Sequence, residues 1–103
     1  MSEKIKLQRS TGNVFRDLGF RPVEAQNLLL RSDLMSRVER FAKSSNMTQK
    51  AAAIRLGVTA PRLNDLLAGK IEKFSLDALV NMLARVGIVV RILASKSTTR
   101  RAA

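Results

Sequence analysis

The chain has 103 residues, the size of a single domain. Its 19 Lys and Arg against 8 Asp and Glu leave a net charge of +11, and every third of the chain is positive. The expected partner is therefore a polyanion, nucleic acid before an acidic membrane or an acidic protein. Cys and His are both absent, which excludes disulfides, thiol nucleophiles, Cys/His zinc sites and serine–histidine triads. No apolar run is long enough to span a bilayer, and polar Met1–Thr11 lacks the apolar stretch of a secretory signal. The composition points to a small cytoplasmic domain without metal or cofactor, and not to an enzyme.

Residues 1–11 read as a flexible N-terminal arm, or as a short edge strand, because Ile5 and Leu7 alternate with Lys4, Lys6 and Gln8. Pro22 suits the first turn of a helix. Behind it Leu30, Leu34, Val38, Phe41 and Ala42 recur at helical spacing, which predicts a helix over Val23–Lys43 with a kink near Arg31–Ser32. The cluster Ser44-Ser45-Asn46 ends it. Thr48 is a good N-cap for a second helix, Gln49–Leu56, and Gly57 a good stop. Thr59 caps a third helix, Ala60–Ala68, with Pro61 in its first turn and Gly69 closing it. Ser75 caps a fourth, Leu76–Val86, stopped by Gly87. Val58 with Leu63, and Phe74 with Leu79, occupy the positions of hydrophobic staples. Ile88–Leu93 is β-branched and short, so it reads as a strand. Basic Ser95–Ala103 has nothing to bury and reads as a disordered tail.

The second and third helices are short, closely joined, and amphipathic in a matched way. Ala51, Ala52 and Leu56 face Leu63, Leu66 and Leu67. This is the layout of a helix-turn-helix, spanning 48–69, whose second helix enters the major groove of DNA. Stepping 100° per residue from a buried Leu63 turns Pro61, Asp65 and Ala68 outward, with Arg62 and Asn64 on the flanks. Arg62 suits guanine or a phosphate, Asn64 adenine, Asp65 the amino group of cytosine, and Ala60 or Pro61 a thymine methyl. Thr48, Gln49 and Thr59 at the two helix N-termini suit phosphates, with Lys50 and Lys70 beside them. The same residues also allow a plainer reading: Arg62–Asp65 as a surface ion pair and the two threonines as caps alone.

Thr48-Gln49-x-x-Ala52-x-x-x-Leu56-Gly57-Val58-Thr59-x-x-x-Leu63-x-x-Leu66-x-x-Gly69-Lys70 resembles the Xre/Cro-type helix-turn-helix family of repressors. The resemblance implies DNA contacts at Gln49, Ala60, Pro61, Arg62 and Asp65, and a phosphate contact at Lys70. It also implies a mainly α fold, a five-helix lambda-repressor-like bundle over 12–94 that carries the short C-terminal strand. Over a longer stretch, Gly12-Asn13-Val14-Phe15-x-Asp17-Leu18-Gly19-Phe20 and Phe74-Ser75-Leu76-Asp77 are similar to HigA-type antitoxins. That likeness implies a repressor of its own operon that also neutralises a toxin of the RelE/HigB kind. Asp65 stands where many relatives have a polar or basic residue, and Ala51 where a larger apolar one is usual; the first bears on base preference, the second on how tightly the pair packs. The Asn13–Phe20 segment suits either toxin docking or packing onto the domain's own helices.

A lone strand leaves backbone groups unpaired, so residues 88–94 are expected to pair antiparallel with a second copy, with Ile88, Val90 and Ile92 inward. Folding back onto Ile5–Arg9 is the alternative. The homodimer would present two recognition helices to a palindromic operator in double-stranded DNA. Three other functions fit less of the sequence. One is a stand-alone Xre-type regulator. Another is an interaction module that chiefly masks a toxin through Asp17, Glu24, Asp33 and Glu39. The third, RNA binding through the tail, is weakened by the absence of Tyr and Trp.

Overall fold

The computed structural model describes residues 3–7, 18–44 and 46–94. In chain order these form β1 (Glu3–Leu7), α1 (Pro22–Ser44), α2 (Gln49–Leu56), α3 (Ala60–Leu67), one 3₁₀ turn (Ile71–Lys73), α4 (Leu76–Arg85) and β2 (Ile88–Ile92). Local signals set the boundaries. The hydroxyls of Thr48, Thr59 and Ser75 accept from the backbone N–H of Ala51, Arg62 and Ala78, so each cap satisfies a donor the helix cannot. Gly57, Gly69 and Gly87 all take positive φ. At Gly57 the chain closes a Schellman turn, Gly57 N–H to Ile54 O (3.1 Å) and Val58 N–H to Ala53 O (3.0 Å). The helix expected over Val23–Lys43 runs unbroken from Pro22 to Ser44, through Arg31 and Ser32.

The core is built from one face of each helix. Leu34 and Val38 of α1, Leu56 of α2, Leu63 of α3, Leu79 and Leu83 of α4 and the ring of Phe74 are fully buried. Each such side chain contributes about 1.5–3 kcal/mol by leaving water. α1 lies along α4, and α2 packs on α3. Small Ala52 and Ala53, both buried, allow the close approach of α2 to its neighbours. Arg55 sits over the Phe41 ring, 5.7 Å from its centroid, and ties α2 to the end of α1. Arg31 reaches out of α1 in a second tie. Its Nε donates to Asn27 Oδ1 (2.7 Å), and its Nη1 donates to the carbonyls of Ile71 (3.3 Å) and Phe74 (3.4 Å).

The mainly α architecture stands, with corrections. The five-helix bundle becomes four α-helices among the described residues. These are the four helices read from spacing and caps, with a single 3₁₀ turn between α3 and α4; the fifth is implied by the resemblance alone. Of the two readings of the N-terminus, residues 3–7 follow the short edge strand and not the flexible arm: they form β1, paired parallel with β2 in the register Glu3↔Ile88 to Leu7↔Ile92. The helices between them supply the long crossover that a parallel pair needs. β2 therefore finds a backbone partner within its own chain, the alternative to pairing with a second copy, and β1 covers one of its two edges. Ile88 is buried and Val90 half-buried, but Ile92 is 50% exposed rather than inward, because the strand leaves the bundle as it runs. The Gly12–Asp17 part of the antitoxin-like motif and the tail at 95–103 lie outside the described residues.

Candidate nucleic-acid interface

α3 is the most one-sided element of the helix pair. It buries Leu63 and Leu66 against α2 and the core and shows Ala60, Pro61 and Asn64 to solvent, with no large hydrophobe among its exposed residues. At the start of α2, Thr48, Gln49 and Lys50 are exposed, as are Thr59 before α3 and Lys70 after it. Two of the sequence-predicted residues are engaged within the domain. Arg62 is half-buried, its guanidinium carbon 4.4 Å from the centroid of the Phe74 ring, a cation–π contact over a core aromatic. Asp65 is also half-buried, and the surface pair with Arg62 does not form; its partners are Lys70 and Lys73 instead. Lys70 Nζ lies 3.3 Å from Oδ1, and Lys73 Nζ lies 3.4 Å from Oδ2.

The local backbone explains that triad. α3 ends in a second Schellman turn, with Gly69 N–H on Leu66 O (2.9 Å) and Lys70 N–H on Asp65 O (3.1 Å). Such a turn returns the residue after the glycine over the last turn of the helix, which sets Lys70 beside Asp65. The 3₁₀ turn that follows repeats every three residues, so Lys73 stacks on the side of Lys70. Burial pushes the Asp65 carboxyl up, but the hydrogen bonds from Lys70 and Lys73 and their positive charges outweigh it and hold the group below its usual range. Sequence reasoning missed Lys73 and the seat of Arg62 on Phe74. Gly69, read as a Schellman glycine, places Lys70 over Asp65, but the 3₁₀ turn that adds Lys73 carries no such signal.

A further cation borders the helix pair. A Cβ on Gly57 would strike the guanidinium end of Arg85, so Arg85 of α4 lies across the turn between α2 and α3. Among the described residues Lys70 and Lys73 share one acidic partner, Asp65, while Lys50, Arg62 and Arg85 add positive charge to or beside the helix pair. No helix among the described residues is long and apolar enough to cross a membrane.

Over residues 14–95 the chain matches the helix-turn-helix domain family. It belongs to that family. The match takes in all four α-helices and the β2 strand. A comparison with curated proteins finds no match.

Proposed function

We propose that this helix-turn-helix protein is a sequence-specific DNA-binding transcriptional repressor. One observation supports the reading above the others: α3 rests on α2 through Leu63 and Leu66 and keeps a small polar face with exposed Pro61 and Asn64, a shape that fits a major groove. In this reading Ala60, Pro61, Arg62 and Asn64 meet base edges, while Thr48, Gln49, Lys50, Thr59 and Lys70 meet phosphates. A homodimer on a palindrome, with half-sites about 34 Å apart, fits the exposed Val89, Ile92 and Leu93 beside the free edge of β2. The role we assign beyond DNA binding is that of a type II antitoxin repressing its own operon, on the similarity of the motif at Gly12–Phe20 and of Phe74–Asp77.

Selection of duplexes from a randomised pool tests the central reading. A palindromic consensus is expected, bound with an affinity that falls steeply with salt; a pool that never enriches refutes it. Arg62→Ala is expected to cost about 1–3 kcal/mol and relax one base position, and unchanged base preference would reassign Arg62 to a phosphate. Co-purification with the product of an adjacent small gene tests the antitoxin role. A neighbourhood without a toxin reading frame leaves the stand-alone regulator.

A further inference from the structure

The triad at the end of α3 has an odd charge count. Two ammonium groups share one carboxylate, each on its own oxygen, at 3.3 and 3.4 Å, and all three side chains keep contact with solvent, at 47%, 48% and 27% exposure. Ion pairs this open add little to stability, because water and salt screen them. Their effect is on the field instead. Lys70 and Lys73 alone would present two positive charges side by side; with Asp65 between them the group carries one. The backbone fixes the arrangement, since the Schellman turn and the 3₁₀ turn set both lysines over Asp65, and Arg31 anchors that stretch through the carbonyls of Ile71 and Phe74.

We propose that Asp65 is a positioning residue for a single phosphate contact: it binds Lys70 and Lys73 into one unit of net charge +1, and so limits the sequence-blind attraction of the α3 end to nucleic acid. The inference rests on the DNA-binding reading above. It takes Asp65 out of the base-reading set, because each of its oxygens already faces a lysine and its charge is spent on that pair. It also adds Lys73 to the surface that meets the backbone.

The test uses the full chain and a random-sequence duplex of about 20 base pairs, followed by fluorescence anisotropy from about 50 to 200 mM salt. Each phosphate neutralised contributes about 0.9 to the slope of log affinity against log salt, or about 3.5-fold across that range. Charge counting then fixes four results. Asp65→Asn frees the second lysine and steepens the slope by about 0.9, with tighter binding at low salt. Lys73→Gln and Lys70→Gln each leave a neutral pair with Asp65 and flatten the slope by about the same amount. The double variant Asp65→Asn/Lys73→Gln returns to the slope of the unmodified chain, a rescue that a purely structural role for Asp65 does not produce. The inference is overturned if Asp65→Asn leaves the slope unchanged, including the case in which it only alters the preferred base at one position of the selected duplex. An unmodified chain that binds no duplex overturns both this inference and the DNA-binding reading; one that binds, with a slope indifferent to these variants, overturns this inference alone.

Discussion

α2 and α3 are close to twins. Each has eight residues, a threonine cap and a Schellman glycine after its end, and they differ in how they are buried. α2 spreads its buried residues over Ala52, Ala53 and Leu56 and leaves apolar Ile54 67% exposed. α3 concentrates burial in Leu63 and Leu66 and exposes only small or polar groups. A helix that leaves a large apolar side chain exposed has no clean outer face, whereas one whose exposed residues are all small or polar keeps an entire side available. The likeness of the two ends is chemistry common to any helix; the difference between the two surfaces is where recognition can be written.

Changes that attack the line of attachment should have the largest effect. Leu63→Ala removes a fully buried side chain from that line and is expected to cost about 2–5 kcal/mol, against less for Ala53→Gly on α2. Urea denaturation of both variants checks this, and an equal loss would erase the distinction between the helices. The two stop glycines should separate next. Gly57→Ala and Gly69→Ala both place a Cβ at positive φ, a strain of about 1–2 kcal/mol. Only at Gly57 must Arg85 also move, while a Cβ at Gly69 meets open space. The thermal midpoint should therefore drop further for Gly57→Ala, and the reverse order would mean that Arg85 swings away without cost. Removing the caps should treat the twins alike: Thr48→Ala and Thr59→Ala are each expected to lose about 1 kcal/mol, measurable by the same unfolding curves.

The smallest effect expected is that of pH on α3. Because the lysines hold the folded Asp65 carboxyl below its usual range, the stabilisation is present above the unfolded-state value and fades as pH falls through the folded one. Asp65→Asn should make the acid side of the stability profile slightly shallower and leave the neutral side nearly level. A steeper acid limb in the variant would mean that the carboxylate destabilises its site.

Much of the helix-turn-helix could be read from residues alone, because its signals are local. Thr48, Thr59 and Ser75 cap within one turn of themselves, and Gly57, Gly69 and Gly87 stop the helices they adjoin. Leu34, Val38, Leu63 and Leu79 declare their burial through spacing. What stayed hidden depends on contacts distant along the chain. Ile88–Ile92 announces a strand, but its choice of Glu3–Leu7 over a second copy is decided by how the intervening helices bring the two together. Ile92 follows the alternation of a half-buried strand, yet the bundle ends before it does. Arg62 and Asp65 look like free groove-facing residues on a helical wheel. Their partners, Phe74, Lys70 and Lys73, lie beyond the helix on a turn whose path the wheel does not contain.

The pairing of β1 with β2 also dictates an order of assembly. During synthesis the segment that becomes β1 leaves the ribosome long before its partner exists, while everything needed to close α2 onto α3 is made within one short interval between. Contacts so far apart in sequence form late and slowly, and those between adjacent helices form early. The two-stranded clasp is thus expected to lock last, and a chain cut short before Ile88 would carry the helix pair without the strand that holds Glu3–Leu7.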